Sequence, residues 1–538
     1  MTLLTKYRTA ILFFATPLLL ALAFPPISLS YCAVFAFVPL LLLMEKLDSF
    51  GKQFRFAYGS FFLFSLFTLY WVGGFTHGKD IFMMLAGGTL LLWQPFFFCI
   101  PFSIYLFFRK KYSLRFSLII LPIIWVIFEW LYALTELSYP WLTIGYTQST
   151  ALHIIQFAEI TGVFGISLWI MVMNCLFFLL IKTFFYNPIK VKIISSIILL
   201  LYIFPIVYSF FVEKKYEETK CVDEKIKAGI IQPNVDPWEK WEDGKTMDGK
   251  WKSIEQLLSL TSELQKKDSV QIVVWPENSI LFDIQKTPYF FEKFKTIIDS
   301  LNVSIVSGGI LVHYYFGDEK APASSNLAEG TRLRYDAYNS VLFFQPHHNT
   351  VQTYSKMRLV PFAERVPYAE TFSWLIEPLR WGVGISNWAI GEQYTIFEDS
   401  LHHTKFSSGI CYESIFPEFV SSFVKNGAEF ITIVTNDSWW GNTSGARQHS
   451  QYAIFRAIEN RRWIVRAANG GISSFISPEG KMYNETKLYQ QSTTSFSISP
   501  KKELTFYSCY GDWLPRFLVV FLVVYNFFVI VKNRKKIN

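Results

Sequence analysis

Seven runs of mostly apolar residues crowd the first 212 positions, near 9–24, 27–44, 56–75, 81–107, 116–135, 153–181 and 193–212, and an eighth lies at 515–531. A bilayer core asks for about 20 such residues per helix, so these runs limit the fold more than any other feature of the chain. Only 17% of the 538 residues are charged and 51% are hydrophobic, against about 25% charged in a typical soluble domain. Disorder, a fibrous chain and an ordinary cytosolic enzyme are thereby excluded. No small-residue cleavage site follows the first run before Pro25 and Pro26, so it reads as a retained span and not as a signal peptide.

The loops between the runs set the orientation. Lys6 and Arg8 precede the first run; Lys46, Lys52 and Arg55 follow the second; Arg109, Lys110, Lys111 and Arg115 follow the fourth; Lys182, Lys190 and Lys192 follow the sixth; Lys532, Arg534, Lys535 and Lys536 close the chain. The other short loops contain Lys79 and no other Lys or Arg. A buried soluble core has no reason to sort cations by loop parity, whereas the positive-inside rule demands it. The expectation is a polytopic α-helical membrane protein with eight transmembrane helices: a seven-helix domain over 1–212, a periplasmic domain over 213–514, and a closing helix with a basic cytoplasmic tail over 515–538. The net charge of +8 divides accordingly. The cation-rich segments hold Glu45 and Asp48 as their acids, so the rest of the chain is net acidic and a nucleic-acid partner is excluded.

Two features of the apolar region stand out. Glu129 lies inside the fifth run, where a carboxylate is costly and marks function or packing. The segment 137–152 is poor in charge but rich in aromatics, and an aromatic belt at the headgroup level is its simplest reading.

From Lys225 to Tyr510 short β-branched runs alternate with amphipathic stretches, the pattern of an α/β layer fold. Strands are expected at 227–231, 271–275, 304–308, 340–344, 406–411, 430–435, 464–468 and 472–476, and helices at 250–266, 288–301, 415–426 and 446–462. Three segments bring reactive side chains to the ends of apolar runs. The run Ile272 to Trp275 stops at Pro276 and presents Glu277; Lys356 and Glu364 flank an apolar turn; and the run ending at Ile410 delivers Cys411, followed by Tyr412 and Glu413. A cysteine at a strand-to-helix junction has N–H groups and a positive dipole end nearby, which favour a thiolate. A carboxylate, an amine and a thiol together supply base, cation and nucleophile for covalent acyl transfer. Singly, each has a plainer reading as a buried apolar thiol or a solvated charge.

In this order the three motifs resemble the nitrilase (carbon-nitrogen hydrolase) superfamily, whose Glu-Lys-Cys triad sits on an α-β-β-α sandwich. Thr435 to Gly441, Gln448-His449 and Arg466 to Gly470 match it as well. Apolar runs around such a domain, together with Glu129-Trp130-Leu131, Pro140-Trp141-Leu142, Gly145 to Gln148, Gln232-Pro233-Asn234 and Trp238, are similar to the apolipoprotein N-acyltransferase family. Three positions depart from that pattern: Ala363 where a glycine is expected, Arg365 where an aromatic is common, and Tyr132 where an arginine often stands.

The resemblance implies an enzyme of the bacterial inner membrane with a catalytic domain on its periplasmic side. Glu277 would act as base, Cys411 as nucleophile and Lys356 as oxyanion stabiliser. Glu364 would hold Lys356, Tyr412 and Glu413 would surround the nucleophile, and Trp238 and Trp439 would either pack in support of the site or contact substrate; Glu364 ranks above Glu413, which reads as a solvent-facing charge. The implied acyl donor is a membrane phospholipid, and the acceptor is the diacylglyceryl-modified cysteine of an apolipoprotein. No cofactor and no metal are expected, since His347-His348 and His402-His403 lack ligand spacing, and the chain is expected to act as a monomer. The aromatic segments 372–376 and 381–388 read either as arms that dip into lipid or as packing on the sandwich. Cys221 and Cys509 flank the membrane region, and an oxidising compartment would permit a bridge between them. The alternative activity is a membrane-tethered amide hydrolase, with the same triad and water as acceptor.

Overall fold

The computed structural model describes residues 3–74, 81–219, 225–239, 245–328, 330–376 and 387–534. Two compact units emerge, one from 1–70, 88–213 and 509–538, the other from 71–87 and 214–508.

The first unit is helical. Among the described residues four helices are long and apolar enough to cross a membrane, Met83–Lys111, Leu114–Ala133, Ala158–Thr183 and Pro188–Tyr216, and three shorter apolar helices are Tyr7–Ala23, Ser30–Met44 and Trp513–Tyr525. A further helix, Phe50–Leu69, starts at Ser49, whose hydroxyl accepts from the Lys52 N–H. Capping of this kind satisfies one of the donors that every helix start leaves without a partner.

The second apolar run is not one regular helix. A 3₁₀ turn, Ser30–Phe35, precedes a short α-helix, Val38–Met44. Asn174 supplies the hydrogen bonds around this break, accepting from the Phe37 N–H at 2.7 Å and donating to the Ala33 carbonyl at 2.8 Å. Irregular backbone at membrane depth persists where protein groups satisfy it. The sixth run is interrupted too: Gly162 has φ 64° inside Ala158–Thr183, a left-handed conformation that glycine adopts without steric cost.

The aromatic segment between the fifth and sixth runs is no interfacial belt. It forms two 3₁₀ turns, Pro140–Leu142 and Ile144–Gln148, whose residues are all buried. Glu129 explains why. Its Oε1 accepts from the Trp125 indole N–H and from the Ile144 N–H, both at 2.9 Å, and Gly145 N–H donates to Ser167 Oγ at 3.0 Å. A carboxylate inside the helices thus anchors the backbone of the turn that follows.

The second unit is a four-layer α-β-β-α sandwich. One sheet contains β1 (Ile226–Gln232), β2 (Ile272–Val274), β3 (Ser304–Tyr315), β4 (Asn326–Leu327), β5 (Arg334–Phe344), β6 (Gln352–Ser355) and β13 (Ser492–Ile498), in the order β13-β1-β2-β3-β5-β4 with β6 paired to β5. The other contains β7 (Phe397–Asp399), β8 (Thr404–Ile410), β9 (Phe430–Thr435), β10 (Ile464–Ala468), β11 (Ser474–Ile476) and β12 (Met482–Tyr483), in the order β12-β11-β10-β9-β8-β7. The sheets face each other where β1 meets β10 and β5 meets β8. Each has a parallel centre, β1-β2-β3 and β8-β9-β10, with antiparallel edges.

Helices Met247–Asp268 and Pro288–Leu301 cover the first sheet through a core that includes Trp251, Leu257, Leu264, Trp275, Phe294 and Phe344. Each such side chain, fully buried, contributes about 1.5–3 kcal/mol. Trp275 keeps its polar end satisfied by donating to Thr261 Oγ1 at 3.0 Å. Helices Pro417–Lys425 and Ser444–Asn460 cover the second sheet. Parallel centres matter for function, because open α/β sheets gather their sites at the carboxyl ends of parallel strands.

Candidate active site

Glu277 lies three residues beyond β2, and its loop continues to pair with β3: Trp275 N–H donates to Val306 O at 2.8 Å and Ile280 N–H to Gly308 O at 3.1 Å. The approach is so close that a Cβ on Gly308 would sit 2.6 Å from the Glu277 Cα, so only glycine fits there. Lys356 follows β6 directly, and its own N–H donates to Asn339 O on β5 at 2.8 Å. Cys411 follows β8 with φ 49°, a left-handed conformation that costs a non-glycine residue about 1–2 kcal/mol. Strained elbows of this kind recur at nucleophiles.

These three strand ends converge. Lys356 Nζ donates to Glu364 Oε1 at 2.7 Å and to Glu277 Oε1 at 3.3 Å. Glu277 Oε1 also accepts from the Asn339 amide at 2.8 Å, while its Oε2 accepts from the Asn436 N–H at 3.0 Å. Glu364 Oε2 accepts from the Val360 N–H at 2.8 Å. Lys356 is fully buried and Glu277 is 5% exposed.

Burial alone would push the Lys356 ammonium down, but the carboxylates of Glu364 and Glu277 outweigh it and hold the group above the ordinary lysine range. The two carboxylates thus favour the charged form of Lys356. The thiol moves differently from the expectation that its junction favours thiolate. Burial raises Cys411 well above the usual thiol range, the Glu277 charge adds to this, and Lys356 offsets only part of it. The reason is local: the turn after β8 is a five-residue 3₁₀ segment, Cys411–Ile415, too short for a substantial dipole. Burial thus favours the neutral thiol at Cys411.

Glu413 does not face solvent. It is fully buried, and its Oε1 accepts from the Tyr354 hydroxyl at 2.7 Å and from the N–H groups of Met357 and Arg358 at 2.7 and 3.1 Å, while Oε2 accepts from the Ile410 N–H at 2.8 Å. One side chain thus ties the cysteine elbow to the lysine loop. Burial, against these donors, pushes its carboxyl up to about 7. Tyr412 is buried, its ring 5.1 Å from that of Phe416. Trp238 and Trp439 are half-buried and pack edge to face at 5.4 Å between ring centroids.

Two departures from the family pattern find explanations. Arg365 is buried and spans three segments, donating to Trp388 O at 3.0 Å, Ser324 Oγ at 3.0 Å and Glu370 Oε1 at 2.7 Å. An ion pair thereby braces the loop that carries Glu364. Tyr132 donates to Gln94 Oε1 at 2.8 Å, where an arginine pairing with Glu129 was conceivable. Of the aromatic segments, Trp374 is 71% exposed and Trp388 is 5% exposed; Trp381 and Cys221 fall outside the described residues. Among those residues no group of three or more metal-ligating side chains occurs.

Sequence reasoning missed Asn339, which bonds Glu277 from the middle of β5 and lies 3.5 Å from Glu364 Oε1. Its strand runs from Arg334, six residues earlier than its apolar stretch suggests, so Asn339 reads as loop when the stretch is taken alone.

Residues 17–176 match the family model of the apolipoprotein N-acyltransferase N-terminal domain, and residues 227–502 match the carbon-nitrogen hydrolase model. The chain is 35% identical over 520 residues to the apolipoprotein N-acyltransferase of Chlorobaculum tepidum, covering 93% of this chain and 92% of that one. It is 29% identical to the protein of that name from Geobacter metallireducens, over 92% and 90% of the two chains, and 25% identical to that from Rickettsia typhi, over 97% and 98%. With both parts matched and the similarity running nearly end to end, the chain belongs to the apolipoprotein N-acyltransferase family.

Proposed function

We propose that this protein is a phospholipid to apolipoprotein N-acyltransferase of the bacterial inner membrane. Eight spans would hold it, over 1–212 and 515–538, with the catalytic domain, 213–514, on the periplasmic side. The observation that carries the reading is the meeting of Glu277, Lys356 and Glu364 in one buried cluster whose charges reach Cys411.

In the first step Glu277 takes the proton of Cys411 as Sγ attacks the sn-1 ester carbonyl of a phospholipid. The C–O bond breaks, the proton passes to the departing glycerol oxygen, and a lysophospholipid leaves behind a thioester on Cys411. In the second step the α-amine of a diacylglyceryl-modified cysteine attacks that thioester, Glu277 removes the amine proton, and the thiol is released with the amide. Splitting one bimolecular transfer into two conserves the acyl group's reactivity in the thioester. A thiol raised by burial beside a buried carboxylate supports Glu277 as the base. A cation held between two carboxylates supports Lys356 as the group that stabilises the oxyanion. Glu364 keeps Lys356 in place. Burial of Glu277, Lys356 and Glu364 would keep water from that side of the thioester.

The test is a two-stage assay with purified full-length protein. Labelled phospholipid should leave an acyl adduct on Cys411, visible by peptide mass spectrometry, and a diacylglyceryl peptide should discharge it as an N-acyl product. Glu277→Gln should slow adduct formation about 10²–10⁴-fold. An adduct that discharges only to water would instead identify an amide hydrolase, and transfer by Cys411→Ser at the wild-type rate would exclude the thioester route.

A further inference from the structure

Behind the nucleophile lies a second buried polar group that the two-step mechanism leaves unused. His449 Nε2 sits 3.1 Å from the carbonyl oxygen of Cys411 and 2.9 Å from Ser414 Oγ, and that hydroxyl itself donates to the same carbonyl at 2.7 Å. A carbonyl oxygen can only accept, and the single hydroxyl proton of Ser414 is committed to it. Both neighbours therefore require Nε2 to carry the proton and donate.

The opposite edge of the ring is fixed. Nδ1 lies 2.9 Å from Asp437 Oδ1, Arg466 Nη2 donates to Asp437 Oδ2 at 2.8 Å, and the same nitrogen lies 3.1 Å from Nδ1. All three side chains are fully buried. The Trp440 ring covers the imidazole at 5.5 Å, and Trp71 covers Trp440 at 4.8 Å. The imidazole has no room to swing away.

What this ring holds is one end of a peptide unit. In a planar trans peptide the C=O and the following N–H point in opposite directions. Fixing the Cys411 carbonyl towards His449 therefore aims the Tyr412 N–H the other way, and hydrogen bonding at the carbonyl strengthens that N–H as a donor. The same bonds sustain the left-handed φ of Cys411. We propose that His449 is a positioning residue: by holding the Cys411 carbonyl it sets the peptide unit whose N–H stabilises the oxyanion formed at the acylated cysteine. Asp437 and Arg466 act through it by orienting the ring. The inference rests on the acyl-transfer reading.

Two substitutions separate the ring's two edges. His449→Gln keeps an amide nitrogen near the place of Nε2, and His449→Asn keeps one near the place of Nδ1. For each, two rates are read at Cys411 by peptide mass spectrometry: acylation by labelled phospholipid in a single turnover, and alkylation by iodoacetamide. Alkylation is a displacement at saturated carbon that forms no oxyanion, so it reports the thiol and not the peptide unit. The expected result is acylation within about 3-fold of wild type for Gln and a loss of about 10- to 100-fold for Asn, somewhat less than removal of a whole oxyanion donor, with alkylation unchanged in both. Equal acylation by Asn and Gln overturns the proposal, as does an equal fall of acylation and alkylation in Asn. If His449→Asn does not fold, Asp437→Asn decides: slowed acylation with unchanged alkylation supports the role, and wild-type acylation refutes it. Absence of any acyl-Cys411 in the wild type, with alkylation intact, would refute the acyl-transfer reading instead.

Discussion

The two units bury carboxylates for different ends. In the sandwich, Glu277 and Glu364 share the Lys356 ammonium. In the helical unit, Glu129 accepts from an indole N–H and a backbone N–H, and its Oε2 meets no hydrogen-bond partner among the described residues. A carboxylate facing an ammonium holds that cation in place. One facing neutral donors shapes the backbone. Glu413 belongs with Glu129 by this criterion although it sits beside Cys411: its donors are a phenol and three backbone N–H groups.

The comparison breaks most visibly at the shared cation. Lys356→Met leaves two carboxylates buried without their partner, and it should cost about 3–5 kcal/mol in denaturant unfolding and about 10²-fold or more in single-turnover acylation. Retained stability would show that the two ion pairs do not hold this part of the fold together.

Glu413 gives an effect of middle size and a definite sign. Its folded carboxyl is raised by burial to about 7, above the ordinary value near 4.3 for glutamate in an unfolded chain. Between these values the native state holds a proton that the unfolded state has released, so the contribution of Glu413 to stability is fully present below about pH 4 and is lost as pH rises through about 7. Glu413→Gln should flatten that part of the unfolding midpoint's pH profile. An unchanged profile would show that another group carries the slope.

The smallest effect is expected in the helical unit. Glu129→Gln retains an acceptor for Trp125 and Ile144 and should shift stability by less than about 1 kcal/mol, whereas Glu129→Leu strands both donors and should cost about 1–3 kcal/mol. Equal costs for the two would show that Glu129 acts through its charge after all.

Much of the sandwich was legible locally. β9 and β10 occupy the residues expected from their apolar runs, Phe430–Thr435 and Ile464–Ala468, and Pro288–Leu301 is the expected helix. Strand β13, Ser492–Ile498, was not: it is half-exposed and rich in serine and threonine, and it exists as a strand because it pairs along the whole of β1. The helical region shows the same limit. Hydropathy marked the second run as a span, but the break between Phe35 and Val38 depends on Asn174, more than 130 positions away.

By itself the sequence determined the division into an apolar helical region and an α/β region, and the three strand ends that carry acid, amine and thiol. These are written in neighbouring residues, through hydropathy and its period. Only the tertiary structure decided that Glu413 is buried, that Asn339 bonds Glu277, that burial raises the Cys411 thiol, and that His449 lies against the carbonyl of Cys411. Those depend on which distant groups share a buried volume, where an unpaired polar atom costs several times what it costs in water.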